Sequence, residues 1–416
     1  MQFKPSKSEL IYFNRGKSCQ TPIRLRPPQL PNSPQREPFT LAPKKDARFL
    51  GIWIDSKLSF AAHVRAVKGK METQMHALTR LAASTWGCDL IRAREVYVKV
   101  IRAAMAYGAG VTHNPSRPKV AKGLQACQNK GLRRVLGAYK ATPIRNLELE
   151  AFCPPLDLYF NKRLADFEAR LKASGMGAKI DRACWKIKGH LRNRQGRPRV
   201  PKPLFDYETW ATTWAPEPPP PPPPPPGRKA KKPPKASDLA LVRDWKQRWN
   251  TYNPRRGPMG RAADKALSTA FRGGHLSLHK DLRKAESSVL IQMRTGKIGL
   301  NTFLYHRKVP GYESPICICG NGLQTPEHLF TDCTDPRSHS LIALGYSSIS
   351  EVRAGLSSPE KASKMAKSLL RSGWLREFRL SEKLRSEEGL ADALAGWERR
   401  PPPERHKRRR ERQPAL

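Results

Sequence analysis

The chain has 416 residues, and its 78 lysines and arginines against 35 aspartates and glutamates give a formal net charge of +43. This excess predicts a polyanionic partner, RNA or DNA. Apolar runs such as residues 49–54 are far shorter than the ~18 residues that cross a bilayer, which excludes a transmembrane protein. Because 39 residues are proline and 38% are hydrophobic, part of the chain cannot bury a core, and we expect compact modules with disorder between them.

Two short apolar runs, at residues 10–13 and 49–54, predict strands on either side of a proline-rich loop. From residue 57 to 173 apolar residues recur at steps of three and four, which predicts a block of helices. The first helix carries a basic outer face with Arg65, Lys68 and Lys70. Further helices are predicted at about residues 90 to 107, from a Ser116 cap to Leu136, after Thr142-Pro143 and after Pro154-Pro155.

Residues 174–238 show little apolar periodicity, and we expect them to form a disordered, basic, proline-rich linker. Nine consecutive prolines at 218–226 predict a polyproline II rod of about 3.1 Å per residue. Such a run is usually a spacer; as the alternative, it docks an aromatic-lined proline-binding domain. Helical patterning returns at 239–345 and again at 346–416, where the chain ends in a basic tail.

The sharpest local signal is a group of three cysteines and one histidine: Cys317, Cys319, His328 and Cys333. Zn²⁺ binds four such ligands in a tetrahedron, and two glycines after the first pair favour the turn that it needs. We therefore predict a zinc knuckle at 317–333 with a structural Zn²⁺. The single residue between the first two cysteines is a tighter spacing than the usual two to four; incidental thiols are the alternative, and His339 could substitute for one ligand.

The N-terminal residues show no secretory signal, so we expect an intracellular protein, and the basic tail favours the nucleus. In a reducing compartment the eight cysteines are thiols or metal ligands rather than disulfides.

Several stretches, taken in order, resemble the downstream part of the reverse transcriptase of non-LTR (LINE-type) retrotransposons, particularly those of fungi. They are residues 4–9 (KPSKSE), 48–55 (RFLGIWID) and 128–139 (QNKGLRRVLGAY). Residues 282–287 (LRKAES) and 294–300 (RTGKIGL) then precede a terminal Cys-Cys-His-Cys knuckle, as they do in that family. The resemblance covers residues 1–170 and 275–335.

This resemblance implies a residual palm edge with a primer-grip-like hairpin at 1–56 and a helical thumb at 57–173. Lys7 takes the place of a palm lysine that helps to protonate the departing pyrophosphate. Contacts to nucleic acid are expected from the hairpin, from basic helix faces and from the segment before the knuckle. These residues are Phe49, Leu50, Gly51, Arg65, Lys68, Lys70, Arg133, Arg134, Arg307 and Lys308.

The expected fold is mainly α: a short palm-edge β-hairpin, a helical thumb, a disordered linker and a small helical module with the knuckle. Polymerases of this family hold two Mg²⁺ ions on an Asp-Asp turn, and the sequence contains no Asp-Asp pair. We therefore expect a truncated fragment that binds RNA and DNA without polymerase activity. The alternatives are a piece of an active RNA-directed DNA polymerase, with Mg²⁺ on a palm encoded upstream, and a proline-rich adaptor.

Overall fold

The structure is a computed structural model that describes residues 8–13, 21–26, 37–115, 117–188, 235–251 and 274–379. Lys7, Ser116, the proline run and the basic tail lie outside the described residues. The described part of the chain is mostly helical with small antiparallel sheets, which confirms the mainly α class. None of its helices has the length and apolarity that a membrane span requires.

Short strands near the N-terminus pair in two antiparallel sheets. Strand β1 (Ile23–Leu25) pairs with β2 (Phe39–Leu41), and β3 (Asp46–Phe49) pairs with β4 (Ile52–Asp55). The apolar run at 10–13 differs from the prediction, because it forms no strand: Leu10 makes only an isolated bridge to Pro43.

The apolar run at 49–54 is a tight hairpin, which corrects the prediction of one continuous strand. Strand β3 ends at Phe49, and the chain turns through Leu50 and Gly51, whose φ angles are 47° and 83°. Positive φ at both central residues of a two-residue loop matches the right-handed twist of the paired strands. Glycine adopts that conformation without steric cost, so Gly51 allows the turn.

The helices after the hairpin surround one hydrophobic core. They are α1 (Ala61–Leu81), α2 (Leu90–Val96), which continues through a π-helical segment (Tyr97–Arg102) into α3 (Ala103–Met105), α4 (Ala109–Thr112), α5 (Lys119–Leu136), α6 (Ile144–Glu150) and α7 (Leu156–Ala173). The helix expected from a Ser116 cap starts at Lys119, with Pro118 at the N-cap position. A further helix, α8 (Met176–Lys188), occupies the start of the stretch predicted as a linker. Met176, Ile180 and Ile187 recur there at helical spacing, a pattern that the proline-rich composition of the wider stretch obscures.

The C-terminal half consists of shorter helices. They are α9 (Ala236–Thr251), a 3₁₀ turn (Gly274–His279), α10 (Lys284–Thr295), α11 (Asn301–His306), α12 (Pro326–Thr331), α13 (His339–Ile342), α14 (Ile349–Gly355) and α15 (Pro359–Arg371), followed by a 3₁₀ turn (Arg376–Phe378). A second hydrophobic core lies among α10 to α15 and includes Phe330, Leu369 and Phe378.

Helix α10 belongs to both cores, and all twelve of its residues are buried. Ile291 packs in the first core, whereas Val289, Leu290 and Met293 pack in the second. A helix that is buried on every side has no solvent face on which to place its polar residues. Most of its polar side chains therefore find partners inside the protein, whereas the Ser287 hydroxyl has none among the described residues.

These polar side chains bond to backbone and charged groups from both cores. The Lys284 ammonium donates to the backbone carbonyl of Val135, and Gln292 Nε2 donates to the Gly137 carbonyl at 3.2 Å. Arg294 Nε donates to Glu150 Oε1 at 2.8 Å, and its Nη1 donates to the Leu356 carbonyl at 2.7 Å. The Arg294 and Glu150 side chains are 3% and 0% exposed. Arg294 thus joins helix α6 to the end of helix α14.

Loss of this buried ion pair should destabilise the whole described fold. Arg294→Met should lower the free energy of unfolding by about 3–5 kcal/mol, because it leaves the Glu150 carboxylate buried without its counter-charge. The half-exposed pair of Arg248 with Asp157, also at 2.8 Å, offers the control: Arg248→Met should cost less than about 1 kcal/mol. Denaturant unfolding of both variants measures the difference, and equal losses would contradict this account.

A second buried polar group lies between α5 and α6. Glu148 Oε1 accepts hydrogen bonds from Gln125 Nε2 at 3.2 Å and from Gln128 Nε2 at 3.3 Å. Burial raises the pKa of Glu148 to about 7, although these two amides and the nearby Arg102 act in the opposite direction. The first core therefore contains a carboxyl group that titrates near neutral pH.

The raised pKa predicts that stability depends on pH. Between the ordinary pKa of 4.5 and about 7 the folded chain holds a proton that the unfolded chain has lost, so stability falls as the pH rises through this window. Glu148→Gln should remove this pH-dependent loss of folding free energy, which amounts to up to about 3 kcal/mol. Unfolding free energies at pH 5 and pH 8 measure it. The exposed Glu95→Gln serves as the control and should leave the wild-type pH dependence unchanged.

Candidate metal centre and nucleic-acid interface

The first half of the cysteine cluster is a tight backbone turn. The Cys317 N–H donates to the Gly322 carbonyl at 2.7 Å, and the Gly320 N–H donates to the Cys317 carbonyl at 2.9 Å. Gly320 has a φ of 80°, a conformation that L-residues with a Cβ rarely adopt. These bonds hold the Cys317 and Cys319 side chains on one side of the turn.

The second half of the cluster comes from helix α12. The Thr325 hydroxyl caps this helix by accepting from the His328 N–H at 3.3 Å, and Pro326 occupies its first turn, as the sequence predicts. His328 lies on the helix, and the Cys333 N–H donates to the His328 carbonyl at 3.1 Å just beyond its end. The helix thus presents His328 and Cys333 to the cysteine turn.

The four predicted ligands converge. Their ligand atoms all lie within 4.8 Å of one another, with 3.7 Å between the sulfurs of Cys317 and Cys333 and 3.1 Å between Cys319 Sγ and His328 Nε2. A tetrahedral Zn²⁺ with Zn–S bonds of about 2.3 Å places two sulfurs about 3.8 Å apart. The cluster can therefore hold a metal ion such as Zn²⁺, and His339 is not part of it.

The surroundings of the two turn cysteines differ. Burial raises the pKa of Cys317 to about 11, whereas the backbone N–H of Asn321 lowers the pKa of Cys319 to about 6. Gln324, which sequence spacing did not single out, lies behind the cluster: its Nε2 is 3.9 Å from Cys317 Sγ, and its Oε1 accepts from the Asn301 N–H at 2.7 Å. Groups that orient ligands in this way are part of many metal sites.

Metal removal should therefore destabilise this part of the protein. The purified full chain should contain one zinc per molecule, and a strong chelator should lower its unfolding temperature, because binding energy at such a site is also folding energy. Cys319→Ser should lose the zinc. Cys127→Ser, which changes a half-buried thiol outside the cluster, should keep it. Elemental analysis and thermal unfolding test both claims, and full zinc content in Cys319→Ser would exclude the site.

The tip of the β3–β4 hairpin is exposed and apolar. Phe49 and Leu50 are 64% and 75% exposed. The Tyr107 hydroxyl donates to the Leu50 carbonyl at 2.7 Å, and a Cβ added to Gly51 would lie 3.2 Å from the Tyr107 ring. Tyr107 therefore supports the turn, a role that no local sequence pattern indicates because the two residues are 57 positions apart.

The structure divides the predicted basic residues into separate groups. Arg133 and Arg134 line a groove between α1 and α5, with a volume of about 520 Å³, together with His76 and Lys130. Two acidic side chains, Glu72 and Glu377, also line this groove. Other basic residues lie outside its lining: they are Arg65, Lys68 and Lys70 on α1, all exposed, and the exposed Arg307 and Lys308 after α11.

The Lys68 ammonium contributes to the electrostatic potential in the groove, although Lys68 does not line it. Burial raises the pKa of Cys127, a groove residue, and the ammonium groups of Lys68 and Lys130 oppose that rise. Arg65 instead faces strand β3, where its Nη2 lies 3.7 Å from Asp46 Oδ2. Basic side chains from both helices thus lie near Cys127, where the Glu72 carboxylate opposes part of their positive potential.

Comparison with known proteins supports a retrotransposon-related origin for the chain. One relative is a 115 kDa protein of the type-1 retrotransposable element R1DM of Drosophila melanogaster, 25% identical over 115 residues. The matched stretch spans 27% of this chain and 11% of that relative. No protein-family model matches the sequence, and no solved structure matches the fold.

Proposed function

We propose that this chain is a retrotransposon-derived protein that binds RNA and DNA, with the α1–α5 groove as its principal contact surface. The groove carries this proposal because it collects Lys130, Arg133 and Arg134 on one face of a rigid helical block. Cations in this arrangement bind a phosphate backbone and release its counterions, whatever the base sequence. The net charge of +43 adds a long-range attraction for the same ligand.

The cysteine cluster has a structural role in this proposal. A site that uses four protein ligands leaves no open position for a substrate, which is typical of structural zinc. Bound zinc would hold the turn at Cys317 against helix α12 and so fix the segment that follows α11. The exposed Arg307 and Lys308 lie at the start of that segment and would add a second contact to nucleic acid.

The proposal includes binding but not polymerisation. Two-metal phosphoryl transfer requires carboxylates close together, and the sequence has no Asp-Asp pair. Among the described residues, the clustered groups suited to a metal are the three cysteines and His328. A polymerase that used this chain would need Mg²⁺-binding carboxylates from another segment. We further propose that the protein acts in the nucleus, where such a ligand is found.

Binding should be steeply salt-dependent and should depend on the groove. Affinity of the full chain for RNA and DNA should fall between 50 and 200 mM salt, and Lys130→Ala and Arg134→Ala should each reduce the slope of log affinity against log salt by about 1. Lys364→Ala removes the same charge from an exposed position on helix α15, outside the groove, and should leave the slope unchanged. Fluorescence anisotropy titrations measure these slopes. Equal effects of all three changes would show that the groove is not the contact surface.

A further inference from the structure

A second and larger cleft lies on the molecule, and the proposed function does not use it. Its volume is about 950 Å³, near the upper end of the range typical of ligand sites. One wall is the loop between α1 and α2 with the first turn of α2, and the other is the segment 279–285, which leads into the start of helix α10. Its apolar lining comes from both walls: Trp86, Ile91, Leu282 and Ala285.

Trp86 lies at the edge of this cleft on a rigid turn. The turn is closed by a bridge between Ala82 and Gly87, and the Ala83 N–H donates to the Trp86 carbonyl at 2.9 Å. Gly87 has a φ of 103°, and a Cβ there would lie 2.3 Å from the Leu81 carbonyl oxygen, so no other residue fits without a backbone shift. The turn nevertheless leaves the Trp86 ring 54% exposed. A fixed, exposed indole can stack on a planar ligand.

His279 lines the same cleft with both ring nitrogens unused. Its side chain is 1% exposed, and neither nitrogen has a hydrogen-bond partner within the described residues. Burial lowers the pKa of His279 to about 3, with Arg294, His275 and Lys284 acting in the same direction. The imidazole is therefore neutral at pH 7, with one donor and one acceptor nitrogen. Because both nitrogens are closed off from solvent, the imidazole contributes a neutral side chain to the wall of the cleft rather than a hydrogen-bonding group for a ligand.

The charged groups around the cleft are of both signs. Its lining includes Arg92, Lys280, Arg283 and Lys284, and also Asp89, Asp281 and Glu377. Arg92 lies 3.3 Å from Asp89, and Arg283 Nε donates to Glu286 at 2.8 Å. Because Arg92 and Arg283 are each paired with a carboxylate, they are less available to a phosphate inside the cleft, whereas the apolar walls favour a base there. The exposed Lys280 at the rim is placed for the adjoining phosphate.

We propose that this cleft binds an unstacked base of single-stranded RNA or DNA, stacked on Trp86 between the apolar walls, with an adjoining phosphate at Lys280. This inference rests on the proposed function and adds to it a site that selects single strands over duplexes. Stacking on an aromatic side chain accepts any base, because every base has a π-face. Such a site requires a base that is not paired, so a duplex cannot use it.

The test compares single-stranded and duplex binding by the full chain at one salt concentration. The probes are a twelve-nucleotide oligouridine and a DNA duplex of the same length. Trp86→Leu keeps apolar bulk but removes the stacking surface, and it should weaken oligouridine binding about 5- to 100-fold. Its affinity for the duplex should change less than about twofold, since duplex contacts depend on the phosphate backbone. Trp86→Phe retains an aromatic ring and should keep most of the single-strand affinity.

Phe13→Ala is the matched control, because Phe13 is 55% exposed and lies outside the cleft lining. It should leave both affinities unchanged, whereas Lys280→Ala should reduce the salt slope for oligouridine by about 1. If Trp86→Leu and Trp86→Phe bind oligouridine equally well, or if Trp86→Leu weakens both probes alike, the site is excluded while the proposed function stands. If the unmodified chain binds neither probe, the proposed function itself fails.

Discussion

The ion pair between Arg294 and Glu150 is the constraint on which the described fold depends. Removing a charge pair from water is expensive, and here the hydrogen bond from Arg294 to the Leu356 carbonyl offsets part of that cost, while Glu150 Oε2 has no partner among the described residues. The pair can form only when helix α10 lies between the two hydrophobic cores, because Glu150 ends α6 and Leu356 follows α14. A buried pair specifies one arrangement of its neighbours more strictly than apolar contact does, since a displaced charge loses every partner at once.

Both candidate surfaces for nucleic acid depend on this arrangement. The groove between α1 and α5 also includes Gln292 from α10 and Glu377 from the last 3₁₀ turn, so its end is closed by the C-terminal half. The larger cleft has one wall from the loop after α1 and the other from the segment before α10. Neither surface belongs to a single run of sequence. The metal cluster differs, because all four of its ligands lie within seventeen consecutive residues and its geometry follows from a local turn and a capped helix.

That difference explains how much the sequence could predict. The ligand set of the cluster, the Thr325-Pro326 helix start and the longer helices between α1 and α7 follow from local signals, whereas the short helix α4 and the π-helical segment are not predicted. Helix α10 gives no such signal, since Lys284, Glu286, Gln292 and Arg294 are polar and yet buried. Sequence patterns predict that such residues are exposed, and only their contacts with residues distant in the chain explain why they are buried. Tyr107 could not be predicted because its partner Leu50 is 57 positions away, and Gln324 could not because one of its partners, Asn301, is 23 positions away.

The π-helical segment from Tyr97 to Arg102 changes the rotation, about the helix axis, of the side chains that follow it up to the end of α3 at Met105. A wider turn inserts one residue relative to an α-helix, which rotates the subsequent side chains by about 100° around the axis. With that rotation Arg102 stacks over the Tyr159 ring at 4.0 Å, and five positions later Tyr107 reaches the Leu50 carbonyl. Deleting a single residue here would preserve helical character yet turn Tyr107 away from the hairpin. The hairpin tip is therefore linked through Tyr107 to the end of a helix that contains an irregular winding, although about fifty residues separate the two.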